Sequence, residues 1–101
     1  MVINITNLTK NASTYEDGIV VFKVIKNHLD QGHTIRLSFS GIHNVPSSFV
    51  NSAVIQLLEH YSFDFIREHL FFINTTKQIN DMIRRRFAFE ISRDMSSKTR
   101  H

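Results

Sequence analysis

The chain has 101 residues, of which 42% are hydrophobic and 21% charged, and it contains no cysteine. This length suits a single domain with one modest core. The absence of cysteine excludes a disulfide scaffold, a thiolate metal site and a cysteine nucleophile. The apolar runs are too short to span a membrane, and the opening MVINIT has no basic, apolar leader. We therefore expect a cytoplasmic protein.

The charge is spread unevenly along the chain. Residues 77–101 carry seven Lys or Arg against three acidic residues, a net charge of +4, whereas residues 1–76 carry five against six, a net charge of −1. A basic end of this kind is typical of a solvated helix face or of a surface for nucleic acid. The candidates for the second interpretation are Arg84, Arg85, Arg86 and Arg93. Because successive helical residues fan around the axis, we do not expect Arg84–Arg86 to face one partner together.

A strand and a helix are predicted at the beginning of the chain. Residues 2–6 alternate β-branched apolar side chains with polar ones, which predicts a short strand. A polar loop follows, and Ser13 or Thr14 is suited to cap a helix whose first turn is acidic. Gly32 is the natural left-handed residue at the end of this helix. Its apolar stripe consists of Val21, Phe22, Ile25 and Leu29.

The middle of the chain predicts a second strand and a second helix. Residues 34–39 alternate, so that Ile35, Leu37 and Phe39 share one face. A polar loop at residues 40–46 precedes one helix with apolar positions from Val50 to Tyr61. Residues 62–68 remain open between a turn and a short helical link.

The last third predicts a third strand and a long helix. Leu70–Ile73 is a continuous apolar run, as expected for a strand buried on both faces. Asn74 or Thr75 is suited to cap a helix with apolar positions at Ile79, Met82, Ile83 and Phe87. Alternation over Phe87, Phe89 and Ile91 leaves open a strand at its end. We predict a domain over residues 1–92 and a polar, flexible tail over residues 93–101.

The predicted order β-α-β-α-β-α indicates a small α/β domain with a mainly parallel sheet and crossover helices. In such sheets functional groups lie in the loops after the strands. Residues 40–48 form such a loop and end in Ser47 and Ser48 at a helix start. A serine there either caps the helix or, once phosphorylated, places about −1.5 to −2 charges on a surface that faces a partner.

Three segments carry a family resemblance: Glu16–Gly18, the strand-loop-helix segment 37–49, and the strand end 70–74. Together they resemble the STAS-like domain family, relatives of the sulfate transporter and anti-sigma-factor antagonist domain. The resemblance implies a non-enzymatic regulatory module that binds a histidine-kinase-like ATPase or another signalling protein. It also implies release when a serine at the second helix start is phosphorylated. The matching acceptor is Ser47, with Ser48 beside it, whereas Pro46 stands where antagonists have an acidic residue.

The partner surface is predicted over residues 40–52. Besides the two serines, its members are Ser40, His43, Asn44, Pro46, Phe49, Asn51 and Ser52. Two alternatives stay open, namely a phage or mobile-element inhibitor of a host complex and a nucleic-acid-associated protein. The six histidines lack metal-ligand spacing, and no phosphate loop or nucleophile elbow occurs, so we expect no metal, no cofactor and no enzymatic activity.

Overall fold

The computed structural model describes the backbone of residues 1–98 and the side chains of residues 1–93. Three strands form one sheet in the order β1-β2-β3: β1 is Val2–Asn4, β2 is Ile35–Ser38 and β3 is Leu70–Ile73. The central strand β2 pairs in parallel with both neighbours. The predicted α/β fold with a mainly parallel sheet is confirmed.

Helices connect the strands and follow the last one. They are α1 at Tyr15–Asp30, α2 at Ser47–Ala53, α3 at Phe63–His69 and α4 at Lys77–Lys98, with 3-10 turns at Ile5–Asn7 and Ile55–Glu59. The helix α4 overlaps the predicted flexible tail as far as Lys98, and residues 99–101 lie outside the described residues. Within the described part of the chain, no helix is both long enough and apolar enough to cross a membrane.

Of the two predicted caps of α1, Ser13 and Thr14, the structure uses Thr14. Its Oγ1 accepts a hydrogen bond from Asp17 N at 3.0 Å, and Asp17 Oδ2 accepts one from Thr14 N at 3.2 Å, which completes a capping box. The Ser13 N–H also donates to Asp17, and together with Thr9 and Thr14 it holds the pKa of this carboxyl below its ordinary value of 3.8. At the other end, Gly32 takes the predicted left-handed conformation with a φ of 77°.

Gly18 lets α1 and α2 approach at backbone distance. A Cβ at this position would lie 1.8 Å from Ser52 Oγ and 2.7 Å from the Phe49 carbonyl oxygen. Both distances are far below van der Waals contact, so no other residue fits without moving α2. The glycine of the Glu16–Gly18 segment therefore sets the spacing of the two helices.

The prediction of one helix from Val50 to Tyr61 is wrong. The helix α2 ends at Ala53, Val54 leaves helical geometry with φ −128° and ψ −34°, and a 3-10 turn follows. Two local features oppose a longer helix. Val54 and Ile55 are β-branched, and Ser52 Oγ donates back to the Ser48 carbonyl at 3.1 Å, a bond that bends helices.

The open segment 62–68 contains α3. Ser62 Oγ accepts from Phe65 N at 3.1 Å and so caps this short helix. The helix leads directly into β3, with which it packs.

The prediction that β3 is buried on both faces is wrong. β3 lies at the edge of the sheet, and Phe71 is 45% exposed. Phe71 pairs in register with Arg36 of β2, and Arg36 pairs with Val2 of β1. Arg36 and Val2 are exposed as well. This face of the sheet is therefore open at that row.

The beginning of α4 also differs from the prediction. The residue that caps it is Thr76, whose Oγ1 accepts from Ile79 N at 3.3 Å, rather than Asn74 or Thr75. Asn74 adopts a φ of 55° in the turn after β3. Residues 87–91 lie inside α4, so the strand alternative for them is wrong.

Candidate docking site

The loop between β2 and α2, residues 39–46, is fixed at the end of the sheet. Ser38 is 1% exposed. Its Oγ accepts from Ser40 N at 3.2 Å and from Asn74 Nδ2 at 2.9 Å. One buried hydroxyl thus joins the loop after β2 to the turn after β3, at the edge where parallel sheets carry functional groups.

The beginning of α4 holds the second half of this loop. Gln78 Oε1 accepts from Val45 N, and Gln78 Nε2 donates to the Val45 carbonyl, both at 3.0 Å. Thr76 Oγ1 donates to the His43 carbonyl at 2.8 Å. These three bonds order the backbone that leads into α2.

Ser47 and Ser48 occupy the first two positions of α2, and both are exposed. The N-cap residue is Pro46, which supplies no side-chain acceptor. The interpretation of either serine as an N-cap is therefore wrong. Neither hydroxyl makes a hydrogen bond to any part of the chain that the structure describes, so both are accessible.

The other predicted partner residues divide into two groups. Ser40, His43, Asn44 and Pro46 are exposed. Asn51 is half-buried, and its Oδ1 accepts from Arg86 Nε at 2.8 Å.

The prediction that Phe49 and Ser52 belong to the partner surface is wrong. Phe49 is 1% exposed and Ser52 is 0% exposed, so neither contacts a partner in this conformation. Both lie on the side of α2 that meets Gly18 of α1. The three-residue spacing that puts them on one helical face makes this the buried face.

The exposed surface is poor in charge. Between Asp30 and Glu59 the sequence contains no Asp or Glu, and Arg36 is its one Lys or Arg. A phosphate on Ser47 would therefore be the one negative charge of this segment.

The arginines predicted for nucleic acid point to different places. Arg86 bonds to Asn51 of α2 and pairs with Glu90 at 3.4 Å. Arg84 pairs with Asp81 at 3.6 Å and lines a groove beside α3. Arg85 is exposed, and Arg93 is paired with Glu90 at 3.1 Å. The successive arginines therefore do not form one continuous basic track.

Sequence reasoning missed the residues that hold the loop in place. Thr76 and Gln78 lie 33 positions from their partners and show no motif, and Asn74, 36 positions from Ser38, was interpreted only as part of the strand end and as a helix cap. The available signal was their place after the third strand, at the same sheet edge as the loop after β2. Among the described residues, no group of three or more His, Asp or Glu side chains is arranged to hold a metal ion.

Comparison with protein families agrees with this architecture. The sequence model of a family described as a STAS-like domain of unknown function matches residues 17–80. The match begins at the capping carboxylate of α1 and ends in the first turn of α4, so it contains β2, the loop, α2 and β3. No curated protein and no solved structure gives a significant match to the chain.

Proposed function

The chain belongs to the STAS-like domain family, and from this premise we propose that it is a regulatory module that binds a protein partner. The partner surface consists of the exposed part of the β2–α2 loop and the first turn of α2. The observation that carries the proposal is the exposed, unbonded pair Ser47 and Ser48 at the end of a loop held by Ser38, Thr76 and Gln78. A preformed loop of this kind binds with little loss of conformational entropy.

Phosphorylation of Ser47 is the proposed switch. The resemblance to antagonist-type domains assigns the acceptor role to this position and a histidine-kinase-like ATPase, or another signalling protein, to the partner. A phosphoserine adds about −1.5 to −2 charges at pH 7. Since residues 31–58 contain no Asp or Glu, this charge would change the electrostatic match of the loop and the helix start to a partner.

We propose no catalytic turnover at this site. Nucleophilic catalysis by a serine requires a base within hydrogen-bond reach. No hydrogen bond in the described part of the chain connects either hydroxyl to a histidine or a carboxylate. The two serines are therefore better suited to accept a phosphate from a partner than to attack a substrate.

The test uses the full chain as bait for a lysate of its source organism, without ATP so that no bait is phosphorylated during capture, in four forms: wild type, Ser47→Ala, Ser47→Asp and Ser92→Asp. Ser92 is an exposed serine on α4 outside the proposed surface, so it is the matched charge control. We expect one protein to be retained by wild type, Ser47→Ala and Ser92→Asp. Ser47→Asp should retain at least about tenfold less, since misplaced charge at an interface costs more than the ~1.4 kcal/mol that this ratio represents.

Mass spectrometry of baits from a separate incubation with the same lysate and ATP completes the test. Phosphate should appear on Ser47 of the wild type and be absent from Ser47→Ala. Equal retention by all four baits, together with unmodified Ser47 and Ser48, would contradict the switch.

The two alternatives stay predictions. A phage or mobile-element inhibitor would use the same surface without phosphorylation. The Ser47→Ala bait and the phosphate measurement distinguish such an inhibitor from the proposed switch. A nucleic-acid role would require affinity that falls steeply with salt. The divergent directions of Arg84 and Arg86 do not favour it.

A further inference from the structure

An apolar groove of about 560 Å³ lies between β3, α3 and α4. Its lining is almost entirely hydrocarbon. The apolar members are Phe63, Ile66, Leu70, Phe71, Phe72, Ile83, Phe87, Ala88 and Ile91. No residue of the β2–α2 loop or of α2 contributes to it, so it is separate from the docking site described above.

The groove is a surface feature rather than a packing defect. Phe71 beside it is 45% exposed, and the Phe63 and Phe87 rings meet in it at 5.5 Å between centroids. Exposed aromatic surface in a concave site is typical of a place where another molecule binds.

The charged side chains in the lining are both cationic, Arg67 and Arg84. Each pairs with an acidic residue three positions away on its own helix, Arg67 with Asp64 at 3.1 Å and Arg84 with Asp81 at 3.6 Å. The two arginine side chains are 67% and 75% exposed, and exposed pairs of this kind contribute about 0–1 kcal/mol. They are therefore free to exchange these partners for carboxylates of a bound molecule, so the complementary occupant is apolar and also carries acidic groups.

The edge of β3 supplies a second, independent indication. Phe39 N donates to the Ile73 carbonyl, so the peptide groups of Ile73 face β2. In a parallel ladder alternate residues turn their peptide groups to the same neighbour, so those of Phe72 face away from β2. No hydrogen bond of the described residues uses them. An edge strand with free N–H and C=O groups is a template for an additional strand.

From these observations we propose that the groove binds an extended peptide segment of a partner protein, which adds to the sheet as a strand beside β3. Alternate apolar side chains of the segment enter the groove, and acidic residues of the segment pair with Arg67 and Arg84. The backbone of the segment bonds to the free peptide groups of Phe72. This is a second binding surface, and it does not depend on the role of Ser47.

The experiment selects binders from a displayed random-peptide library on the full chain. Four single variants follow. Ala88→Trp fills the groove, and Ser92→Trp adds the same side chain to α4 outside the lining. Arg84→Glu reverses a charge in the lining, and Arg85→Glu reverses one outside it. Arg85 is the matched control because it is the adjacent exposed arginine and does not line the groove. Thermal unfolding of each variant confirms that it is folded.

We expect the selection to enrich peptides that have apolar residues at alternate positions and that carry Asp or Glu. Their affinity should fall at least about tenfold with Ala88→Trp and with Arg84→Glu, and by less than about threefold with the two controls. N-methylation of the peptide backbone should abolish binding at alternate positions only, because one edge of an added strand faces Phe72 and the other faces solvent.

Three results would overturn the proposal. The first is no enrichment of such peptides, or binding that Ala88→Trp leaves unchanged. The second is a uniform effect of N-methylation, which would indicate a helical occupant. The third is self-association of the wild type that Ala88→Trp abolishes in light scattering, which would make a second copy of the chain the occupant.

Discussion

The two helix contacts beside the sheet differ in what stands between the helices. Where α1 meets α2, Gly18 has no side chain, and the helices touch at backbone distance. Where α4 passes α3, the Phe63 and Phe87 rings lie between them, and an apolar groove remains. The size of the side chain at the contact thus separates a closed interface from an open one. The closed side stabilises the domain, and the open side is available to another molecule.

The largest effect is expected from a valine on the closed side. Gly18→Val places side-chain atoms on Ser52 and on the backbone of Phe49. It should lower the free energy of unfolding by about 3 kcal/mol, the upper range for overpacking. The matched control on the open side is Ala88→Val, for which we expect a loss of about 0.5 kcal/mol from helix propensity alone. Equal losses in urea unfolding would contradict the contrast between the two sides.

A second prediction concerns the first turn of α4, which holds the loop that leads into α2. Gln78→Leu removes two hydrogen bonds to the backbone of Val45, which is a buried residue. At about 1 kcal/mol per bond we expect a loss of about 2 kcal/mol and faster hydrogen exchange at the Val45 amide. Gln56→Leu is the control, since it removes an exposed bond to Tyr15 and should cost less than about 1 kcal/mol. An unchanged rate of hydrogen exchange at the Val45 amide would show that the Gln78 side chain does not order the loop.

The open side should tolerate the loss of an aromatic ring. Phe71→Thr replaces a side chain that is 45% exposed with a residue that suits a strand. The free energy of unfolding should change by no more than about 1 kcal/mol, while binding of the selected peptides is lost. A cooperative loss of structure after this substitution would place Phe71 in the core instead.

The smallest effect depends on pH and concerns the start of α1. The hydrogen bond from Ser13, together with those from Thr9 and Thr14, lowers the pKa of Asp17 below 3.8. The ionised carboxylate therefore stabilises the fold above the unfolded pKa, and this contribution is lost as the pH falls through the folded pKa. Stability curves of wild type and Asp17→Asn should differ at neutral pH and begin to converge only as the pH falls below 3.8.

Glu16→Gln is the control for this prediction, because Glu16 makes no hydrogen bond or ion pair among the described residues. Glu16→Gln should lower the stability at neutral pH by less than Asp17→Asn does, because it removes no such bond. A constant difference between wild type and Asp17→Asn at all pH values would contradict the assignment to the carboxylate.

Much of the fold was predictable because its signals are local. The three strands, α1, the left-handed Gly32 and the position of α4 follow from periodicity and capping within a few residues. The failures have physical causes of longer range. The break of α2 reflects Ser52 and two β-branched residues under packing against α1. The cap at Thr76 was missed because Asn74 is used instead by Ser38, 36 positions away.

The candidate site was predictable in position but not in detail. The rule for parallel sheets located the loop and the two serines, and both serines are exposed. Phe49 and Ser52 were misassigned because the sequence shows that they share a face but not which neighbour covers it. The hydrogen bonds between Gln78 and Val45 join residues 33 positions apart, and no local pattern predicts them.

The amino-acid sequence by itself determined the order of the three strands with α1 and α4, the parallel class of sheet and the place of the serine pair, since each follows from local periodicity and chain direction. Only the tertiary structure decided which strand lies at the edge and which helices touch. Strand order and helix spacing depend on contacts between residues far apart in the chain, and Gly18 and Phe87 act only through the neighbours that the fold brings to them.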